Sequence, residues 1–337
     1  MLRTAVVGLG WWGTILVRTI TGSDKLRVVR AVEPNAATAR EVAAECGVPV
    51  TARYEDALAD DSVDAVILAT PHSLHEAQAV SAARAGKHVF VEKPLGLTLE
   101  SALNIVRACR AARVVLAVGH ERRFEPPQVE LARLLTAGEL GTPLQVEANF
   151  SHDKFLALAP GNWRLSAAEA PSGGMTATGI HLLDLAIALL GTPASVYAPC
   201  ATLASALPNG DSLSLLVRFE SGATATINVM LATPFVSRFA LYGSRGWVEI
   251  RDQAHVEAPQ GWRLTRNGAS GEPVHTDYPV ARPVLANLEA FADAVAGRDQ
   301  YPISPRAMLL TVAALEATFH SSASGRIEPV ARVPEGP

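Results

Sequence analysis

The feature that most narrows what this chain can fold into is Gly8-Leu-Gly10-Trp-Trp-Gly13, which follows the apolar run Thr4-Ala-Val-Val7 and opens a helical pattern. In a strand–turn–helix unit each glycine has a steric task. Gly8 permits the tight turn, Gly10 lets the backbone approach a pyrophosphate, and Gly13 lets helix and strand pack closely. The helix N-terminus then offers N–H groups and a partial positive charge to phosphate oxygens. Glu33 closes the next strand pattern about 20 residues further on, where a carboxylate meets ribose hydroxyls and repels a 2′-phosphate. Together these predict a Rossmann domain over the first ~120 residues that binds NAD in preference to NADP. Arg40, one helical turn into the following element, is the residue that would favour NADP. A merely structural glycine turn beside an ordinary solvated glutamate accounts less well for motif, spacing and context together.

Strand and helix patterns alternate through the first third. A helix is predicted from Trp11 to about Thr21, a strand at Leu26–Val32 and a helix at Ala36–Cys46. Ala65-Val-Ile-Leu-Ala69 is apolar without a break, as a parallel strand covered on both faces should be. Ser73-x-x-Glu76 reads as a capping box opening a helix that ends near Gly86. His88-Val-Phe-Val91, a helix capped by Thr98 and a strand at Val114–Gly119 complete a pattern of right-handed βαβ units and a parallel sheet. After Arg122 the pattern changes. A helix at about Pro127–Ala137, a strand at Leu144–Phe150, a loop of small residues and a helix at His181–Leu190 come first. Strand-like stretches follow at Ser195–Thr202, Ser212–Phe219, Ala223–Met230, Val236–Tyr242, Trp247–Arg251 and Trp262–Thr265, joined by short turns, which predicts an antiparallel sheet. Helices at about Pro283–Ala296 and, after Ser304-Pro305, at Arg306–Ser322 close the chain, with the last residues expected to fray. The fold class is α/β, with a Rossmann domain at 1–121 and an α+β domain at 122–330 whose final helix is a candidate to pack back on the first.

Composition supports that division. A chain of 337 residues suggests two domains at roughly 150 residues each. Apolar residues make up 49% and charged residues 18%, enough to bury two cores. The net charge of −4 is mixed along the chain, with no basic run of the kind that binds nucleic acid. Cys46, Cys109 and Cys200 lie far apart without metal-ligand spacing and suit a reducing cytoplasm. The uncharged stretch Thr4–Val17 is broken by three glycines and lacks a cleavage pattern, and Leu185–Gly210 contains Gly191, Pro193, Pro199 and Pro208. Neither is expected to target or span a membrane. His72-x-x-His75 has metal-compatible spacing but no third ligand nearby, so no metal is expected. Ser151-His-Asp-Lys154 imitates a nucleophile motif at a strand end, without the motifs that accompany one.

Two residues carry candidate acid/base chemistry. Lys93 ends a predicted buried parallel strand, and ligands bind at the carboxyl ends of such strands. Desolvation there would lower its pKa, so that it accepts an alcohol proton as hydride leaves carbon. A strand-end lysine reaching solvent is the plain alternative. Glu92 is placed to hold Lys93 or a ribose hydroxyl, and Pro94 fixes the turn. His181 lies at a predicted helix start, where the dipole favours its neutral form. Asp184, one turn later, is expected to orient neighbours rather than react.

The stretch Ala85-Gly-Lys-His-Val-Phe-Val-Glu-Lys-Pro-Leu-Gly96 resembles the AGKHVxxEKPxx signature of the glucose-fructose oxidoreductase / inositol dehydrogenase (Gfo/Idh/MocA) family. Ala69-Thr-Pro71 with His75, Gly119-His-Glu-Arg-Arg-Phe124, Asn162-Trp-Arg164, Gly173-Gly174 leading to Gly179-x-His181-x-x-Asp184, and Ser321-Ser-Ala-Ser-Gly-Arg326 extend the similarity over nearly the whole chain. The resemblance implies a C-terminal domain with an open, mostly antiparallel sheet that makes a homodimer or homotetramer interface, and a substrate held against the nicotinamide. It implies interconversion of secondary alcohols and ketones of sugars or cyclitols, with Lys93 and His181 catalytic. Gly8, Gly10, Trp11, Trp12, Gly13 and Glu33 would hold the cofactor, joined by Thr70, Pro71, His72, His75, Glu92 and Lys93. Arg122, Asn162, Trp163 and Arg164 are expected to bind substrate with His181, Trp163 as an apolar platform and the arginines for hydroxyls or a carboxylate. One position departs from the pattern: Ala177 stands where the family's dehydrogenases usually carry an Asp four residues before the histidine. That departure leaves two further readings open, a redox-neutral NAD-dependent glycosidase or lyase and a noncatalytic NAD-sensing regulator.

Overall fold

The computed structural model describes residues 1–255, 258–268 and 271–334. Residues 335–337, where fraying is expected, lie outside the described residues. The first elements are β1 (Leu2–Val7), α1 (Trp11–Ile20), β2 (Leu26–Val32), α2 (Ala36–Cys46), β3 (Val50–Thr51), α3 (Tyr54–Leu58), β4 (Ala65–Leu68), α4 (His75–Arg84), β5 (His88–Val91), α5 (Leu99–Ala112) and β6 (Leu116–Val118). Next come α6 (Pro126–Thr136), β7 (Pro143–Ser151), α7 (Ile180–Leu190), β8 (Pro193–Tyr197), β9 (Cys200–Ala201), β10 (Ser212–Phe219), β11 (Thr224–Met230) and β12 (Val236–Gly243). The last are β13 (Gly246–Asp252), β14 (Trp262–Gly268), β15 (Val274–Tyr278), α8 (Pro283–Val295), α9 (Pro305–Ser324) and β16 (Glu328–Pro329). The chain divides into two compact units. One comprises Met1–Glu121, Pro283–Val312 and Pro334, and the other Arg122–Arg282 and Ala313–Val333.

The first unit holds a six-stranded parallel sheet in the order β3-β2-β1-β4-β5-β6. Every residue of β4 is buried, which is what its unbroken apolar sequence requires. The strand order reverses between β1 and β4, so the carboxyl ends diverge there into a crevice. Val7 pairs with Leu68 and Leu68 with Val91, which sets Gly8, Ala69 and Glu92 at one level. Asn35 caps α2 by accepting from Ala37 and Thr38 N–H, and Thr98 caps α5 by accepting from Ser101 N–H.

The expected capping box is corrected. A 3₁₀ turn at His72–Leu74 begins the helical path, so the cap position of α4 falls on Leu74, and Glu76 instead accepts from Asn104 Nδ2 at 2.8 Å. α8 belongs to this unit. Phe291 meets Phe90 edge to face at 5.9 Å, and Asn287 Nδ2 donates to Val118 O at 2.9 Å on the edge strand β6. The Tyr301 hydroxyl donates to Asn287 Oδ1 at 2.7 Å, so the buried amide's oxygen and nitrogen each have a partner.

The second unit is built on a sheet in the order β15-β14-β13-β12-β7-β11-β10-β8-β16, with β9 beside β10. Its pairs are antiparallel except β7 with β11, which is parallel. The run of short turns predicts only the antiparallel part, because hairpins pair neighbours whereas β7 and β11 meet across a long crossover. The single strand expected at Ser195–Thr202 is two, β8 and β9, interrupted around Pro199, which cannot donate to a ladder.

Along β10 burial alternates. Leu213, Leu215, Val217 and Phe219 point into the core, and Ser214, Leu216 and Arg218 away from it. α7 packs on the inner face of β7 and β11 and is preceded without a break by a π turn at Met175–Gly179. A Cβ on Gly174 would run into Val229, so the absent side chain lets that turn lie on the end of β11. Asp184, 1% exposed, takes a two-pronged ion pair from Arg123, Nε to Oδ2 at 2.6 Å and Nη2 to Oδ1 at 2.7 Å. No helix among the described residues is long and apolar enough to cross a membrane.

Asp184→Ala should lower unfolding stability by about 3–5 kcal/mol, because it strands the Arg123 charge in a largely buried position. Chemical denaturation measures this. A loss below about 0.5 kcal/mol would show that the pair holds nothing in place.

Candidate functional site

In the first unit the site begins with the turn after β1. Gly8 has φ +86°, and a Cβ there would stand 3.0 Å from Ala69 O and from Thr70 Cγ2. A Cβ on Gly13 would overlap the Gly8 carbonyl oxygen. Gly10 has nothing within 4 Å of the place its Cβ would occupy, so its backbone is open to a close-lying group. Glu33 Oε2 accepts from Leu9 N–H at 2.8 Å and Oε1 from Asn35 N–H at 2.9 Å, which sets a carboxylate beside the glycine turn. An open helix-start turn with an adjacent carboxylate fits the pyrophosphate and ribose of a dinucleotide. Trp11 is 52% exposed, Trp12 is half-buried, and their rings lie 5.5 Å apart.

The turn after β4 supplies Thr70, whose hydroxyl donates to Gln78 Oε1 at 2.6 Å, and Pro71, which leads into the His72 turn. His72 and His75 rings are 5.8 Å apart and nearly perpendicular. His75 is fully buried, with Nδ1 2.8 Å from Pro94 O and Nε2 3.1 Å from Thr70 O. Its two nitrogens tie the turn after β4 to the turn after β5, which accounts for the His-x-x-His pattern without a metal. Among the described residues no group of three or more His, Cys, Asp or Glu could hold a metal ion.

The turn after β5 carries two adjacent ionisable residues. Lys93 is only half-buried, and the buried ionisable group is its neighbour Glu92, 6% exposed. Glu92 Oε2 accepts the Lys93 backbone N–H at 3.2 Å, and its carboxyl lies against Gly119, where a Cβ would come within 2.5 Å of it. Burial, reinforced by the charge of Glu121 and opposed by Trp12 and Lys93, pushes the Glu92 carboxyl up to about 7.

In the second unit His181 is 5% exposed. α7 begins at Ile180, one residue before His181, and a π turn at Met175–Gly179 runs into it without a break. Ala177 is half-buried between buried Thr176 and Thr178, so a methyl group stands at that position. Asn162 Oδ1 accepts from Arg164 N–H at 3.0 Å and caps the short turn Trp163–Leu165. The Arg164 guanidinium stacks 4.3 Å over Trp163, and burial lowers its pKa. The structure thus brings Asn162, Trp163 and Arg164 together in one turn. Arg122, 2% exposed, instead donates to Asp252 at 2.7 Å and lies 4.3 Å over Phe150.

Three residues escape the sequence reading as a group: His152, Lys154 and His255, with His152 and His255 ring centroids 5.4 Å apart. His255 follows β13 in a loop, far from the other two in sequence, and no motif links them. Ser151, whose motif only imitates a nucleophile, donates to Asn149 Oδ1 and accepts from Met230 N–H, both structural bonds.

A doubly wound parallel sheet with this glycine turn and carboxylate, followed by a mixed open sheet, defines a Rossmann-type NAD-dependent oxidoreductase. Residues 2–120 match the family model described as "Oxidoreductase family, NAD-binding Rossmann fold", and residues 129–249 match the GFO/IDH/MocA C-terminal domain. The chain belongs to the GFO/IDH/MocA oxidoreductase family. It is 30% identical to inositol 2-dehydrogenase 1 of Saccharopolyspora erythraea over 88% of this chain and 86% of that one. It is 29% identical to 1,5-anhydro-D-fructose reductase of Ensifer adhaerens over 96% and 91%. The crystal structure of GenD2 from gentamicin A biosynthesis in complex with NAD superposes with a TM-score of 0.83 at 27% identity, covering 98% and 97% of the two chains.

The raised Glu92 value fixes a pH dependence in the protein without cofactor. Below the ordinary value of 4.5 the folded and unfolded chains both hold the proton, and Glu92 contributes its full stability. As pH rises toward about 7 the unfolded chain has released a proton that the folded chain still binds, so stability falls and then levels off. Glu92→Gln removes this component. Its melting temperature should exceed that of the wild type by a margin that widens from pH 5 to pH 8, equivalent to on the order of 3 kcal/mol at most. A margin constant across that range would contradict a raised carboxyl.

Proposed function

We propose that this oxidoreductase interconverts a secondary alcohol and a ketone on a sugar, cyclitol or related cyclic polyol, with Lys93 as the acid/base. The observation that carries this reading is the shared level of three strand ends in the first unit, Gly8 after β1, Ala69 after β4 and Glu92 after β5, with Thr70-Pro71 and Lys93 next in the chain. Adjacent strands lie about 4.8 Å apart, so the glycine turn and the lysine open onto the same edge of the sheet only two strands apart. Bound NAD supplies the hydride acceptor or, when reduced, the donor. Lys93 takes the hydroxyl proton as the carbon loses its hydride and returns it in the reverse direction. Glu92, held near neutrality in its titration, keeps the charge beside Lys93 adjustable. His181 exchanges a proton with, or orients, a second hydroxyl, while Trp163 offers a flat apolar surface and Arg164 a fork of donors.

The relatives named for inositol and 1,5-anhydro-D-fructose support a cyclic polyol as the substrate class. The face of the second sheet that carries Tyr197 and Leu216, both exposed, supports assembly into a homodimer or homotetramer. Three free cysteines agree with a reducing, cytoplasmic setting. Ala177 favours a second reading, in which the protein retains NAD through a redox-neutral glycosidase or lyase cycle, or senses NAD without catalysis.

Absorbance of NADH across a panel of polyols, sugar acids, ketoses and dihydrodiols separates these readings. Wild-type protein should turn over at least one compound, and Lys93→Ala should lose about 10²–10⁴-fold in rate while NAD still quenches tryptophan fluorescence. Silence across the panel with NAD tightly held would move the assignment to the redox-neutral enzyme or the sensor.

A further inference from the structure

The loop between β9 and β10 holds a buried asparagine that the chemistry of the reaction does not use. Asn209 is 6% exposed. Its Nδ2 donates to Arg164 O at 3.1 Å and to Ala170 O at 2.8 Å, and its own backbone oxygen accepts the Gly173 N–H. Both side-chain partners are carbonyl oxygens, so the amide can face them only through its nitrogen, whose two hydrogens serve one each. A hydroxyl has one hydrogen and would reach only one of the two. A single residue thus joins the turn Trp163–Leu165 to the segment that runs through Gly174 into the π turn and α7.

The segment that Asn209 grips is strained. Ser172 has φ +60° beside Gly173 at φ +61°, and a serine stays in the left-handed region only where its surroundings hold it there. Asn209 holds it from both sides, through Ala170 O before it and the Gly173 N–H after it. A Cβ on Gly173 would stand 3.1 Å from Gly210 O, so the two loops pack backbone to backbone. The loop that carries Asn209 is itself anchored by Asp211, 3% exposed, whose carboxylate accepts from Leu203 N–H at 2.9 Å, Ala204 N–H at 2.8 Å and the Ser205 hydroxyl at 2.8 Å. Leu231 N–H donates to Asp211 O at 2.8 Å and ties that anchor to the chain leaving β11.

We infer that Asn209 is a positioning residue for substrate binding, which holds the Asn162–Arg164 turn in register with the turn that leads to His181. The inference rests on the reading in which Trp163 and Arg164 bind a polyol. Asn209 acts through the carbonyl of Arg164, not through contact with the reacting atoms. The Arg164 guanidinium stacks 4.3 Å over Trp163, so a shift of the Arg164 backbone displaces the flat ring and the fork of donors together. Trp163 and Arg164 hold the substrate before the proton moves and while it moves, so their displacement raises KM and leaves kcat nearly unchanged. A residue that served stability alone would lower the melting temperature and leave KM where it was.

Two substitutions test this. Asn209→Asp keeps the shape and removes both donors, and Asn209→Ala removes the side chain. For the compound that the NADH panel identifies, each should raise KM about ten-fold or more, with kcat within about three-fold of the wild type and NAD affinity unchanged. In the NAD-loaded protein the amides of residues 163–174 should exchange with deuterium about ten-fold faster or more, and those of residues 8–13 at the wild-type rate. Ser172→Gly, added to either variant, relieves the left-handed serine and should return melting temperature without returning KM. Melting curves show whether a variant is folded, and one folded variant suffices. An unchanged KM, a loss confined to kcat, unchanged exchange over residues 163–174, or a KM returned by Ser172→Gly would each overturn the proposal. Faster exchange in the variants, with no compound turned over by the wild type, would leave the tether standing and defeat the oxidoreductase reading. Turnover with a wild-type KM in the folded variants would do the reverse.

Discussion

Gly13 has no side chain because the Gly8 carbonyl oxygen occupies the space a Cβ would need. This contact holds α1 against the end of β1, and the rest of the first unit follows from it. With α1 seated there, β1 lies central in the sheet, β4 is covered on both sides, and the strand order reverses beside the glycine turn. The ladder then carries one level across three strands, so Gly8, Ala69 and Glu92 emerge together. His75 ties two of those strand ends through the carbonyls of Thr70 and Pro94. A loop site of this kind gains its geometry from packing below it rather than from contacts within it.

The second unit solves a different problem. One face of its sheet is apolar and covered by α7, and the other mixes Thr, Tyr, Leu and an ion-pair network in which Arg238 joins Glu147, Glu249 and Tyr242. Glycines at 174 and 179 let the start of the helical path lie on Val229. The Arg123–Asp184 pair then fixes α7 from below, leaving His181 buried about one turn away.

Much of this is legible in the amino-acid order, and the exceptions have physical causes. The glycine turn, Glu33, the unbroken apolar β4 and the Thr98 cap are local signals, and each appears where it is expected. β3 and β16 are two residues long, too short for any period to register. The parallel pairing of β7 with β11 is a long-range choice that short turns do not encode. At Glu92-Lys93 the pattern identifies a charged pair at a strand end but not which member is enclosed, since that depends on Gly119 from a neighbouring strand. His152, Lys154 and His255 are invisible for the same reason: their grouping belongs to the sheet, where β12 lies between β7 and β13.

The chain returns to its first unit late. β6 is the edge of the parallel sheet, and the residues that bond it, Asn287 and Tyr301, are separated from it by the whole of Arg122–Arg282. As the protein emerges from the ribosome, the nucleotide-binding sheet must therefore wait with an exposed edge until the second sheet has been made. Neither unit is a contiguous piece of the gene, so the nucleotide-binding half cannot be recombined with a foreign partner by a single crossover.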